Sequence, residues 1–413
     1  MQYLQLLVKP ASSLCDLKCT YCFYHDLAGH QTTRPQIMST ETFELIMKRA
    51  AEYFADASQA EPAYLDILFQ GGEPTMAGLE FFENAVKLQK RYFAQLPQVQ
   101  ITRFIQTNAS RIPEKLMDFL VANDFNFGVS LDGPQALHDA MRVYSNGRGS
   151  FDRVMDGIRG LKARNARMNV LCVLTDLNAL NIKEVYAFFR SLGFEHHQYI
   201  ACLDPFDNSC MPAPARAAAA AAVGPAGAAS AGSGCCDSGR SAGHDGGGEQ
   251  RQFLSEEAYG RFLIDIFDVW YDELVNKQTY VSVRHIENYI CLILGMDINA
   301  CNMNGVCHVQ NVVESSGEVY PCDFFAHDDW SLGNLKDKGF AQMMHSDTGR
   351  NFVKSSLPLP EDCRTCPYLR LCRNGCLRER VKGKNRHCKA FKTFFDARLP
   401  ELTRAAGIMQ NMR

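Results

Sequence analysis

The sequence predicts an α/β protein: a parallel sheet of six strands with interleaved helices, followed by a small cysteine-rich domain. Three observations predict it. Short apolar, extended runs alternate with helical patterns over the first 200 residues. An Ala/Gly-rich stretch at 212–248 then interrupts the pattern. Eight of the 17 cysteines crowd between Cys301 and Cys388. Parallel strands joined by helices require right-handed crossovers, so strand-helix alternation of this kind implies repeated βαβ units. Periodicity leaves the curvature open between an open sheet, a full barrel and a partial barrel.

Strands are expected at 4–8, 64–69, 99–106, 125–130, 169–174 and 197–200, and helices at 40–54, 79–94, 113–123, 151–163 and 181–192. Ser39 is placed to cap the first of these helices, with Glu41 in its first turn. In such folds ligands gather beyond the C-terminal ends of the strands. The 212–248 stretch has almost no large apolar residues, and its run 217–222 is all alanine. It cannot bury enough surface to offset its ordering entropy and reads as a flexible loop. Helical periodicity returns at 255–276 and 284–294. From Cys301 onward the chain is short-patterned, and reads as organised by metal more than by apolar packing. The expected division is 1–210, 211–250, 251–300 as a helical connector, and 301–413.

Composition narrows the class. With 46% hydrophobic and 22% charged residues the chain is ordinary for a globular protein. A formal charge of −3 gives no footprint for nucleic acid or an anionic membrane. No run of about 18 apolar residues suggests a membrane span. The start, Met1 to Pro10, lacks the basic flank of a signal peptide and reads as a first buried strand, so a cytoplasmic location is expected. There, clustered thiols bind metal more often than they form disulfides. Cys172, Cys202, Cys210, Cys235, Cys236 and Cys291 stand outside the clusters and read as buried or incidental thiols.

Cys15, Cys19 and Cys22 have the spacing C-x3-C-x2-C. Three thiolates can hold three irons of a [4Fe–4S] cube and leave the fourth iron open to a small molecule. A zinc site would want a fourth donor, for which His25 is the near candidate. Gly71-Gly72-Glu73-Pro74 follows the second strand. A glycine pair lets backbone approach a ligand closely, and Glu73 can accept from an amino group.

With Tyr21 in the cysteine loop, this pattern resembles the radical S-adenosyl-L-methionine (SAM) superfamily. The resemblance implies a partial (β/α)6 barrel in which Gly72 and Glu73 lie at the methionine amino group of SAM and Tyr21 lies by the adenine. It also implies contacts from Ser130 at the end of the fourth strand, from Arg142 to the SAM carboxylate, and from Leu203 after the sixth strand. Asn108 is a further polar candidate. Without the resemblance, Arg142 would read as a solvated surface residue.

The second group runs Cys301-x5-Cys307-x14-Cys322, then Cys363-x2-Cys366-x5-Cys372-x3-Cys376-x11-Cys388. Eight thiols suffice for two four-cysteine sites, and spacing alone divides evenly between zinc and iron–sulfur. Coupled to the first motif, the arrangement is similar to the SPASM extension of radical SAM enzymes, and within it to anaerobic sulfatase-maturating enzymes. That likeness implies one auxiliary cluster on Cys301, Cys307, Cys322 and Cys376, and another on Cys363, Cys366, Cys372 and Cys388, making three [4Fe–4S] clusters with SAM. The insertion at 211–250 has no place in the pattern.

Asp323 directly follows Cys322. On residues alone it is equally a second-shell acceptor or a base; the resemblance makes it the general base. The implied chemistry is reductive cleavage of SAM to methionine and a 5′-deoxyadenosyl radical. That radical takes a Cβ hydrogen from a Cys or Ser of a sulfatase, Asp323 takes the thiol or hydroxyl proton, and an electron leaves through an auxiliary cluster. The product is Cα-formylglycine, directly from Ser and through a hydrolysed thioaldehyde from Cys. Implied partners are an unfolded or nascent sulfatase polypeptide and an electron donor such as flavodoxin or ferredoxin. The alternatives are another SPASM-type peptide modification, such as a thioether crosslink or cofactor maturation, and a zinc-binding interaction module.

Overall fold

The computed structural model describes residues 2–55, 61–204 and 254–411. Six parallel strands lie side by side in chain order: β1 (Gln2–Val8), β2 (Ala63–Phe69), β3 (Val99–Thr107), β4 (Phe125–Ser130), β5 (Met168–Leu174) and β6 (His196–Ala201). Their helices are α1 (Phe23–Ala28), α2 (Thr40–Phe54), α3 (Gly78–Tyr92), α4 (Glu114–Ala122), α5 (Gln135–Asp139), α6 (Phe151–Ala163), α7 (Asp176–Ala179) and α8 (Ile182–Ser191). The sheet does not close on itself. β7 (Ser282–Val283) pairs with the free edge of β6, and β8 (Val312–Val313) pairs in parallel with β1. β9 (Glu318–Tyr320) and β10 (Gly333–Asn334) extend that second edge antiparallel. The result is a partial (β/α)6 barrel whose open edges are both covered by later chain.

Local chemistry explains the elements. Ser39 Oγ accepts from the Thr42 amide at 3.2 Å and starts α2. Along β2 the odd positions Ala63, Leu65, Ile67 and Phe69 are buried and the even ones less so. Phe69 packs edge-on to Phe82 at 5.4 Å between ring centres, and Phe82 to Phe125 at 5.9 Å. Each such fully buried ring is worth roughly 1.5–3 kcal/mol.

After the insertion, α9 (Glu256–Val275) and α10 (Arg284–Leu294) follow, and the final helix, α11 (Cys388–Asn411), lies against α9. A Cβ on Gly260 would stand 3.3 Å from Ala390 Cα, so this crossing is close, and Arg398 forks onto Asp268 at 2.6 and 2.8 Å. The expected boundary at residue 300 falls within a continuous core: Val313, Val319, Leu335 and Phe340 join the same apolar cluster as β1 and β2. Sequence distance hid this, because β8 pairs with a strand some 300 residues earlier. Residues 211–250, with Cys210, Cys235 and Cys236, lie outside the described residues.

Candidate active site and cluster-binding thiols

The cysteine loop leaves β1 and folds back over the turn that follows β2. The amide of Gly72 donates to Ser12 O at 2.6 Å and that of Glu73 to Leu14 O at 2.8 Å. A Cβ on Gly72 would meet Leu14 O at 2.0 Å; Gly71, at φ +130°, would meet Ser12 O at 2.8 Å. The glycine pair therefore seats the cysteine loop itself, a closer demand than leaving room for a ligand. Glu73 is buried and accepts from Thr75 N and Oγ1, Thr107 Oγ1 and the Asn108 amide, all at 2.7–3.1 Å. Burial pushes its carboxyl up while these donors hold it down. Asn108 Nδ2 reaches Asp16 Oδ1 at 2.8 Å and Cys15 Sγ at 3.7 Å, so this side chain supports the loop.

Cys15, Cys19 and Cys22 are unpaired thiols that interact through their charges. Burial pushes Cys19 up to about 12, opposed by the Arg142 guanidinium. Thiolates so costly to bury alone fit a site where bound iron supplies the compensating charge.

Arg142 is neither a surface residue nor a free fork. It is buried, and its Nε and Nη2 donate to Asp132 at 2.9 and 3.3 Å. Tyr21 donates its hydroxyl to the same carboxylate at 2.5 Å, and the Val173 amide donates at 3.0 Å. Asp132, which sequence reasoning passed over inside Ser130-Leu131-Asp132-Gly133, thus joins the cysteine loop, the chain after α5 and the end of β5. Ser130 ends β4 nearly buried, with no hydrogen bond to its hydroxyl among the described residues. Leu203 is half-buried beyond β6. There the C-terminal region holds the chain: Arg386 pairs with Asp204 at 2.5 Å, and Arg378 donates to Asp204 O at 2.8 Å.

Asp323 stands after β9, where β8 and β9 continue the sheet past β1. It is ion-paired with Lys9 at the end of β1, and Gln70, just before Gly71, donates to its other oxygen at 2.8 Å. Lys9 is 1% exposed and its ammonium lies 3.7 Å from the centre of the Tyr24 ring. Tyr24 in turn donates to Glu314, a buried carboxylate that also accepts from Ser12 at 2.9 Å. Sequence reasoning missed Lys9, Gln70, Tyr24 and Glu314. The available signal was a lysine closing the apolar run Leu6-Leu7-Val8.

The C-terminal thiols form two groups. Cys363, Cys366, Cys372 and Cys388 line one small hollow, together with Lys384 and Lys392. Burial raises both Cys322 and Cys376; next to burial the charges of Cys376, Cys301 and Cys307 raise Cys322, and those of Glu379, Cys307 and Cys301 raise Cys376. Cys376 thus interacts with Cys322, Cys301 and Cys307 and does not line the hollow of the other four thiols. Cys172 and Cys202 are buried core residues and Cys291 is half-buried. Among the described residues no helix is long and apolar enough to cross a membrane.

Residues 10–189 match the radical SAM superfamily, and residues 304–367 match SPASM, an iron–sulfur cluster-binding domain. The chain is 33% identical to the cysteine-type anaerobic sulfatase-maturating enzyme of Clostridium perfringens (strain 13 / Type A), over 98% of this chain and 99% of that one. It belongs to the anaerobic sulfatase-maturating enzyme family. A serine-type anaerobic sulfatase-maturating enzyme, from Bacteroides thetaiotaomicron, is 30% identical over 95% of this chain and 88% of its own. Among solved structures, native anSMEcpe with bound AdoMet matches with a TM-score of 0.81 at 34% identity, over 98% of this chain and 99% of that one. The same protein with AdoMet and the Cp18Cys peptide matches at 0.82.

Proposed function

We propose that this enzyme oxidises an active-site Cys or Ser of a sulfatase to Cα-formylglycine, with Asp323 as the general base. The observation that carries the reading is the Asp323 carboxylate held by Lys9 and Gln70 where β1, β2 and β9 meet, in a chain that aligns end to end with sulfatase-maturating enzymes. Cys15, Cys19 and Cys22 would hold the SAM-cleaving [4Fe–4S] cluster. Cys301, Cys307, Cys322 and Cys376 would hold one auxiliary cluster, and Cys363, Cys366, Cys372 and Cys388 the other. Tyr21, Gly72, Glu73, Ser130 and Leu203 are the proposed SAM-binding residues, and Arg142, whose Nε and Nη2 are taken by Asp132, keeps only Nη1 to offer the SAM carboxylate. With clusters and SAM bound, the site supplies a hydrogen-abstracting radical and an acceptor for one electron.

This chain's own residues do the rest. Each Asp323 oxygen receives one protein hydrogen bond or ion pair and keeps a lone pair for the substrate's thiol or hydroxyl proton. Lys9 and Gln70 fix the carboxylate's rotation, so the acceptor is positioned before the substrate arrives. The cation also balances the negative charge that thiol ionisation would bring beside Glu314. Arg142, locked on Asp132, positions Tyr21 over the cysteine loop.

The test is anaerobic reconstitution with iron and sulfide, followed by SAM, dithionite and peptides bearing Cys-x-Pro-x-Arg or Ser-x-Pro-x-Arg, read by mass. Formylglycine from wild type and its loss in Asp323→Asn support the reading. SAM cleavage with both peptides unchanged would overturn it.

A further inference from the structure

Three stretches of the C-terminal region converge on one side chain. Arg380 Nε donates to Asn374 O at 3.2 Å, Nη1 to Ser356 O at 2.6 Å, and Nη2 to Gly305 O at 2.6 Å and Gly375 O at 3.0 Å. Four of the guanidinium's five N–H donors are thus committed. Each acceptor sits beside a thiol. Gly305 lies between Cys301 and Cys307, and Asn374 and Gly375 lie between Cys372 and Cys376. Ser356 takes the Cys307 amide on its hydroxyl at 2.8 Å. Arg373 ties the first two stretches a second time, through Asn304 Oδ1 at 3.2 Å.

Cys372 lines the hollow of one thiol group, while Cys376 interacts with the other, so the Asn374-Gly375 spacer that Arg380 grips joins the two. None of the four partners is charged, and Arg380 forms no ion pair among the described residues. Arg386, by contrast, is paired with Asp204 at 2.5 Å. The charges that face the Arg380 guanidinium are those of Cys307 and Cys376 from one group, and of Cys363 and Cys372 from the other. A half-buried cation needs a counter-charge. Here thiolates of both groups supply it.

We propose that Arg380 is a positioning residue shared by both auxiliary clusters, and that its charge raises the reduction potential of each. The inference rests on the two quartets each holding a [4Fe–4S] cluster, and not on which peptide is oxidised. One-electron reduction makes a cluster more negative without breaking a bond, so a cation beside the thiolates favours the reduced form. The planar fork places that cation. By holding carbonyls next to Cys307, Cys372 and Cys376 it keeps the charge between the two quartets, a task that the single ammonium of a lysine performs less rigidly.

The test is an anaerobic redox titration of the reconstituted holoenzyme without peptide, followed by electron paramagnetic resonance. R380Q should keep iron for three clusters. At the wild-type midpoint of each auxiliary cluster its ratio of reduced to oxidised form should fall roughly tenfold, a shift of about 59 mV to lower potential for one electron. R380K, which keeps the charge and loses the fork, should stay within about threefold of wild type. The cluster on Cys15, Cys19 and Cys22, where Arg142 faces Cys19, should titrate unchanged in both variants. Wild-type auxiliary midpoints in R380Q, a shift in one cluster alone, or an R380K that titrates as R380Q does, each overturns the proposal. Should R380Q fail to load, auxiliary iron kept by R380K at wild-type potential supports it. Loss of that iron from both variants overturns it, because the carbonyl bonds and not the charge would then be what the quartets need. Zinc in the wild-type quartets, with iron for one cluster only, would instead refute the cluster assignment, and the proposal with it.

Discussion

Replacing Gly72 by Ala should cost this enzyme the cluster held by its first cysteines while sparing the other two. The added Cβ would lie 2.0 Å from Leu14 O, 2.5 Å from Leu14 C and 2.8 Å from Ser13 C, all backbone atoms that cannot rotate away. Contacts under 3.0 Å are essentially never seen for Cβ, so the two loops must part by about 1 Å. Parting stretches two hydrogen bonds, Gly72 N to Ser12 O at 2.6 Å and Glu73 N to Leu14 O at 2.8 Å. At roughly 1 kcal/mol per bond plus roughly 1–3 kcal/mol of overpacking, the local penalty is about 3–5 kcal/mol. It falls on residues that directly precede Cys15. The assay is iron and sulfide content with low-temperature electron paramagnetic resonance of the reduced protein. Iron should drop by roughly one third, with SAM cleavage lost and the auxiliary signals kept. Gly407→Ala, where a Cβ meets nothing within 4 Å, is the control and should behave as wild type. Full iron and wild-type SAM cleavage in Gly72→Ala would refute the argument that the glycine pair seats the loop.

Other outcomes follow from the same contacts. Lys9→Met should lower formylglycine yield by an order of magnitude while SAM cleavage continues, because Asp323 loses its ion pair; removing one partner of a buried pair costs roughly 3–5 kcal/mol. Lys9→Arg should recover part of the coupling, measured as 5′-deoxyadenosine formed per formylglycine. Cys366→Ala should lower iron by about one cluster and leave Cys301, Cys307, Cys322 and Cys376 loaded, which iron analysis and Mössbauer spectra report. Burial lowers His138 to about 4, and its Nδ1 accepts from the Asp132 amide at 3.4 Å while its Nε2 faces Ser150 at 3.0 Å. The neutral ring is therefore the native form. Its contribution is full above about pH 6.5, where the unfolded ring is also neutral, and is lost as pH falls through about 4. Thermal melts between pH 7.5 and 5 should show a smaller acid loss in His138→Gln than in wild type.

Much of the fold was legible because it is local. Strand periodicity, the Ser39 cap and the Ala63–Phe69 alternation depend on neighbours a few residues apart, and the structure keeps them with ends shifted by one or two residues. The first cysteine motif was legible for the same reason: its three thiols lie within eight residues of one another. The resemblance carried the quartet partition, which spacing could not.

Tertiary structure alone decided the rest. The sequence by itself determined which chemistry is available: thiols in threes and fours, a glycine pair, a carboxylate beside a cysteine. It could not determine that Arg142 would spend its fork on Asp132, because those two meet only when the turn after α5 folds back over β4 and β5. Nor could it pair Lys9 with Asp323, 314 residues apart, since that contact exists only where β8 and β9 complete the sheet beside β1. A buried lysine needs its counter-charge at contact distance, and sequence distance carries no information about which carboxylate supplies it.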